Sequence, residues 1–206
     1  QGDPTRAAAQ PAVLAAVTTA RHVAASLRSP GWTVTEVLFD PAQLRFARDV
    51  LDRRPDIVFN LCDLGAYYCS RFEPHVVAAL ELLRMAYTGS SAVALALTDD
   101  KMLCKHLLAS HGIPTPPFAP AARGNGAAAL KVGLPAIIKP VDQHNSVGMG
   151  FDSVVYDADT LQTKLRSLGE TGERWLVERY VEGREIIGAF LGNGPNRVVL
   201  PFEEIA

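Results

Sequence analysis

Ala136-Ile-Ile-Lys-Pro-Val-Asp-Gln-His-Asn-Ser-Val-Gly-Met149 is the stretch that organises the rest of this chain. An apolar run ends in one lysine, Lys139; Pro140 follows, and a polar loop closes on Ser146-Val-Gly148. A short apolar run bounded by turn residues reads as a buried strand. A lysine that closes such a strand is costly to bury without an anionic partner. The ammonium supplies a point charge, and the backbone N–H groups of a glycine-containing loop can wrap phosphate oxygens. The pattern points to a phosphorylated ligand.

Outward from this stretch the elements read as follows. Towards the C-terminus, Asp152–Val155 is a strand, and Ala158–Leu168 is a helix with Leu161, Leu165 and Leu168 facing inward. Trp175–Arg179, Glu185–Leu191 and Val198–Glu203 are strands, with Asn193-Gly-Pro-Asn196 as the turn between the last two. This half is α+β with an antiparallel sheet. Towards the N-terminus, Pro120 to Ala129 is a loop or weak helix. Asp100–Ser110 is a helix capped by Thr98-Asp99, and Ala92–Leu97 is the helix before it. Pro114-Thr-Pro-Pro117 forbids continuation. Further back come a strand at Met85–Thr88, a helix at Glu73–Leu83, a strand at Asp56–Leu61, a helix at Pro41–Leu51, a strand at Thr33–Phe39 and a helix at Gln10–Leu27. That alternation predicts an open parallel sheet. The first helix has no strand before it, so an N-terminal strand is expected to be missing.

Composition narrows the function. The chain has 206 residues, 48% apolar and 20% charged, with a net charge of −2, so it can bury a core and offers no basic surface for nucleic acid or an anionic membrane. No apolar run is long enough to span a bilayer, and the first residues lack a basic stretch followed by an apolar one. The three cysteines, Cys62, Cys69 and Cys104, show no C-x-x-C spacing, which suits reduced thiols in a cytoplasm. A thiol nucleophile at Cys62 or Cys69 stands against the plainer reading of a small buried hydrophobe. His22, His75, His106 and His111 read as helix or turn residues.

Three patches carry chemistry. Asp100-Lys101 opens a helix, Lys139 closes a strand, and Trp175-Leu-Val-Glu-Arg-Tyr-Val-Glu-Gly-Arg-Glu185 runs from strand to turn to strand. Two lysines near element ends can clamp a polyphosphate from two sides, although Lys101 alone also reads as a solvated helix lysine. In the third patch a strand end can pair with an adenine edge, Tyr180 and Val181 covering the ring, Glu178 accepting from the amino group and Glu185 from ribose. A hairpin with exposed charges is the bland alternative.

The ordered set Tyr87-Thr-Gly-Ser90, Asp100-Lys-x3-Lys105, Gly112-Ile-Pro-Thr-Pro116, Leu134-Pro-x3-Lys-Pro140, Ser146-Val-Gly148, Val177-Glu-x4-Gly-Arg-Glu185 and Leu200-Pro-x-Glu-Glu-Ile205 resembles the ATP-grasp superfamily, and within it D-alanine–D-alanine ligases and their relatives. The resemblance implies an α/β fold with a parallel-sheet N-terminal domain (residues 1–94), a central ATP-grasp domain (95–178) and the start of a third (179–206). It implies that Lys101 and Lys139 bind ATP phosphates. Asn145, Ser146, Val147, Gly148 and Met149 would then form a lid over the triphosphate, Glu178, Arg179, Tyr180 and Val181 hold adenine, and Glu185 holds ribose. The implied activity is ATP-dependent carboxylate–amine ligation through an acyl phosphate, on small-molecule substrates, in the cytoplasm, with dimerisation a family expectation. A non-catalytic ATP-binding module of the same fold is the alternative, and a kinase or carboxylase relative a third.

Two departures bear on specificity. Gln143-His-Asn-Ser146 stands where these ligases carry Glu-Gly-Ser-Ser, and Asn60-Leu-Cys-Asp63 stands where they carry a His-Gly segment near the amino-acid site. The family's Mg²⁺ ligands and oxyanion-stabilising arginine lie in a later segment, so the metal is expected to be held downstream of Ala206 and the chain to be trimmed at both ends.

Overall fold

The computed structural model describes residues 4–37, 39, 45–62, 72–122, 124–143, 150–168 and 173–205. Among them run α1 (Pro4–Leu27), α2 (Phe46–Arg53), α3 (Glu73–Leu82), α4 (Ala92–Asp99), α5 (Lys101–Ser110), β1 (Phe118–Ala121), α6 (Gly126–Lys131), β2 (Ala136–Pro140), β3 (Val154–Val155), α7 (Ala158–Leu168), β4 (Trp175–Arg179), β5 (Glu185–Ile187), β6 (Phe190–Leu191), β7 (Val198–Val199) and β8 (Glu203–Ile205). The chain is α/β, as expected. No described helix is long and apolar enough to cross a membrane.

The centre is a four-stranded antiparallel sheet in the order β1-β4-β2-β3. Register places Ile137 opposite Glu178, Lys139 opposite Leu176, and Phe118 opposite Glu178 on the other side. Because side chains alternate across a strand, this register sorts the sheet into two faces. One carries Ala119, Ala121, Ala136, Ile138, Val155 and Val177, which are buried together with Ala129, Val132, Leu161 and Leu165 from α6, α7 and the residue after α6. The helix period delivers Leu161 and Leu165 to that face one turn apart. The opposite face carries Phe118, Ile137, Lys139, Leu176 and Glu178.

Two caps fix the helix that meets this second face. Ser91 Oγ accepts the Ala94 N–H at 3.3 Å to start α4, and Asp100 Oδ1 accepts the Leu103 N–H at 2.9 Å to start α5. The cap is thus Asp100, not Thr98-Asp99, and α4 runs on through Asp99. At its other end α5 stops on Gly112, with φ of 69°; Gly112 N–H bonds Ala109 and Ile113 N–H bonds Leu108, the paired bonds of a left-handed helix stop.

Other expectations change. Phe118–Ala121 is a strand where a loop or weak helix was expected. Pro120 argues against a central strand, but β1 lies at the sheet edge, where a missing N–H is tolerated. Asp152 belongs to a 3₁₀ turn, Phe151–Ser153, that shortens the expected strand to Val154–Val155. The N-terminal parallel pairing is a single bridge among the described residues, Val58 to Tyr87, where Val58 N–H bonds Ala86 and Thr88 N–H bonds Val58. Residues 33–37 form no strand. Among the described residues their β-branched character finds no ladder to join, and strand propensity is mostly a matter of neighbours. The two last predicted strands break into β5/β6 and β7/β8. Gly188 and Ala189 face three residues, Leu200, Pro201 and Phe202, so the register slips by one between β5–β8 and β6–β7, as at a bulge.

Candidate functional site

The second sheet face gathers a cluster of charges. Lys139 and Glu178 are diagonal neighbours across β2 and β4, within reach for long side chains, and Lys139 Nζ lies 2.9 Å from Glu178 Oε2. From α5, Lys105 reaches the same oxygen at 3.4 Å. It also donates to Thr115 Oγ1 at 2.6 Å and lies 5.0 Å from the centre of the Phe118 ring. Lys101, one turn earlier on α5, donates to the backbone carbonyl of Gln143 and lies 3.5 Å from that of Val141. Two ammonium groups share one carboxylate oxygen, and a third stands close enough to Lys139 to feel its charge.

Burial tells these lysines apart. The side chains of Lys105 and Glu178 are 9% and 12% exposed, that of Lys139 23%. Burial holds the Lys101 ammonium below its ordinary value, and the charge of Lys139 adds to this against Asp142, Asp100 and Asp99. Burial also lowers Lys105, opposed chiefly by Glu178. Such a cationic patch, partly shielded from water, favours an anion.

Backbone and cap bonds hold α5 in place. Lys101 N–H donates to Val141 C=O at 3.1 Å, and Val141 N–H to Arg174 C=O at 2.8 Å. Arg174 Nη2 lies 2.6 Å from Asp100 Oδ2. Burial pushes the Asp100 carboxyl up, but the Leu103 N–H and the Arg174 guanidinium outweigh it and hold it below the usual range.

The residues predicted for a base lie next to this cluster, with differences. Arg179 N–H donates to Pro117 C=O and Tyr180 N–H to Pro135 C=O, both at 2.9 Å, so the fold itself uses those two donors. Among the described residues, no backbone bond engages the Val181 N–H. Strand alternation sends the Arg179 side chain to the other face, over Gly133, whose φ of 88° and lack of a side chain leave room for the guanidinium. Val181 is exposed. Glu185 opens β5 opposite Ile205, exposed, and no contact among the described residues joins it to the lysines. Asn145, Ser146, Val147, Gly148 and Met149 lie outside the described residues. Lys105 stands in the Asp100-Lys-x3-Lys105 motif, and its spacing of four from Lys101 is the sequence signal for it, because that spacing puts both on one helix face.

Elsewhere the plainer readings fit. Cys62 packs against the Phe46–Val76 cluster as a small hydrophobe does, and its N–H bonds Asn60 Oδ1 at 3.2 Å. Cys69 lies outside the described residues. Among the described residues no three His, Cys, Asp or Glu side chains come together as a metal site.

Comparison with known proteins bears on the same region. The family described as D-ala D-ala ligase C-terminus matches residues 107–206. An uncharacterized protein, y4sG, of Sinorhizobium fredii is 38% identical over 148 residues, 70% of this chain and 42% of its own length. D-alanine–D-alanine ligases of Polaromonas and Desulforudis audaxviator are each 31% identical, over 88% and 90% of this chain and 52% and 58% of their own lengths. The chain thus spans about half the length of the curated relatives it matches. In fold it is similar to the D-alanine–D-alanine ligase of Bacillus anthracis complexed with ATP, with a TM-score of 0.69, 23% identity and coverage of 93% of this chain and 60% of the other. Over residues 107–206 the chain matches the D-ala D-ala ligase C-terminus family, and in sequence and in fold it is similar to D-alanine–D-alanine ligases.

Proposed function

We propose that this chain carries the nucleotide site of an ADP-forming carboxylate–amine ligase. The observation that carries the reading is the convergence of Lys139 and Lys105 on Glu178 Oε2, with Lys101 beside them at the mouth of α5. Fixed ammonium groups in a half-shielded site neutralise phosphate charge without having to reorganise at the moment of transfer. Lys139, the more exposed partner of Glu178, turns to phosphate. Glu178 then accepts from the adenine amino group, and the chain at Tyr180 and Val181 meets the base edge. Ser146 to Met149 close over the triphosphate, and Glu185 reaches the ribose.

In this reading a substrate carboxylate oxygen attacks the γ-phosphorus, the bond to the β-phosphate oxygen breaks, and ADP leaves. The amine of a second substrate attacks the acyl carbon, a C–N bond forms, the C–O bond to phosphate breaks, and the amine loses a proton. The protein positions and stabilises charge; no protein nucleophile is needed. Residues 1–94 lie on the substrate side, 95–178 form the central domain, and 179–206 open the third. The substrates are small carboxylates and amines, with D-alanine one candidate. Near the amino-acid end, the Asn60 N–H donates to Thr88 Oγ1 at 3.0 Å and its side chain is spent on the Cys62 turn, which makes this corner different from a His-Gly segment. The reaction is placed in the cytoplasm, with dimerisation through the N-terminal domain.

ATP binding measured by calorimetry tests the site. Lys139→Ala is expected to weaken ATP by about tenfold or more, the scale of one charge-assisted contact. Unchanged affinity would defeat the assignment. ADP release across a panel of amino-acid and dipeptide acceptors then identifies the substrates.

A further inference from the structure

We infer that Lys105 is a positioning residue that makes the site select a 6-amino purine, by holding the Glu178 carboxylate when Lys139 turns to phosphate. The inference rests on the nucleotide reading above, which places Lys105 at Glu178, and adds to it what Lys105 does there.

Lys105 is not placed to be a phosphate ligand. Its residue is 7% exposed, and its ammonium is already occupied by the Thr115 hydroxyl, the Glu178 carboxylate and the face of the Phe118 ring. His106, next on the helix, packs edge-on against the same ring at 4.9 Å and closes that side. Lys139, in contrast, is more exposed and has Glu178 as its one ion-pair partner among the described residues. When phosphate draws Lys139 away, Lys105 is the remaining described cation at Glu178 Oε2. A buried carboxylate stays ionised only while a counter-charge stays with it. An ionised carboxylate accepts hydrogen bonds and donates none. It therefore suits the amino group of adenine and repels the carbonyl oxygen at the same position of hypoxanthine. A site built around such a bond rejects the analogue that cannot make it. Without Lys105, Glu178 loses the cation that holds it in place and swings out, which lets the carbonyl base in.

Dissociation constants for ATP and ITP, measured on the whole chain by calorimetry, test this. The unaltered protein is expected to favour ATP by at least about tenfold, and Lys105→Met to bring the ratio within roughly threefold. Lys105→Arg, which keeps the charge, restores most of the preference. Thr115→Val, which removes only the lysine's second anchor, gives an intermediate ratio and serves if Lys105→Met does not fold. In a Glu178→Gln background Lys105→Met leaves the ratio unmoved, because the two act through one group. If Lys105→Met and Thr115→Val weaken ATP and ITP in parallel, Lys105 is merely structural and the inference is overturned while the nucleotide site stands. If the unaltered protein binds neither nucleotide, the nucleotide reading itself falls, and this inference with it.

Discussion

The two faces of the central sheet are made from the same strands, yet they do opposite work. On one face Ala136, Ile138 and Val177 meet Leu161 and Leu165 and are sealed from water. On the other, one residue along each strand, Lys139 and Glu178 form an ion pair that α5 only partly covers. Alternation converts a single register into two chemistries. The sealed face supplies apolar burial, roughly 25 cal/mol per Å² of area removed from water. The charged face supplies little stability, because pairing has to offset the desolvation of both partners. Stability and ligand chemistry are therefore separable in this sheet, and substitutions can test that separation.

The largest effect is expected from the sealed face. Leu161 is fully buried, and Leu161→Ala should destabilise the chain by about 2–5 kcal/mol, the cost of lost transfer energy plus a cavity. Urea unfolding measures it. Calorimetry on the folded variant should find ATP affinity within roughly twofold of the parent, a small change for sites with no shared partner. A tenfold loss of affinity with Leu161→Ala would show that the faces are coupled through the strands.

Gly133 offers a second probe of the sealed face, because it lies where the helix side meets the Arg179 guanidinium. Its φ of 88° is unfavourable for any L side chain, and an added methyl would collide with that guanidinium. Gly133→Ala should cost about 1–2 kcal/mol in the same unfolding experiment, the scale of the left-handed penalty. Since Arg179 points away from the lysines, ATP affinity should hold. A loss of affinity larger than the loss of stability would mean that the Arg179 side chain reaches the ligand side after all.

Much of this arrangement was legible in the sequence where periodicity and turn chemistry agreed. Ala136–Lys139, Ala158–Leu168 and Trp175–Arg179 read correctly because burial on one face enforces their pattern. Phe118–Ala121 did not, because an edge strand accepts the Pro120 that a central strand forbids. Thr33 to Val37 had the composition of a strand, but none of the described residues pairs with it there, a fact that composition does not encode. In the site, Lys139 was legible from cost alone: a lysine ending an apolar strand needs an anion. Its anion, Glu178, was assigned to a base, and the pairing of the two became visible only with the register. Lys105 was missed because its partners, Thr115, Phe118 and Glu178, come from three separate segments.

The smallest effect concerns the join between α5 and the sheet, and it carries a pH signature. Asp100 caps α5 through Leu103 and pairs with Arg174, and together these hold its carboxyl below its ordinary value of 3.8. A carboxyl lowered by folding stabilises the native state above its ordinary value, and that contribution is lost as pH falls from there through the lowered one. Asp100→Asn keeps a good helix cap but gives up the charge. Arg174 is 51% exposed, so solvent screens the pair and the loss at neutral pH should be under about 1 kcal/mol. The stability difference between parent and variant should hold steady from neutral pH down to the ordinary aspartate range and close as the solution becomes more acidic. Urea unfolding in a pH series reads that difference, and added salt should shrink it. A difference that persists at the acid end would assign the role of Asp100 to the cap bond alone; one that closes places the charge pair, on the site's side of the sheet, among the forces that set where α5 presents Lys101 and Lys105.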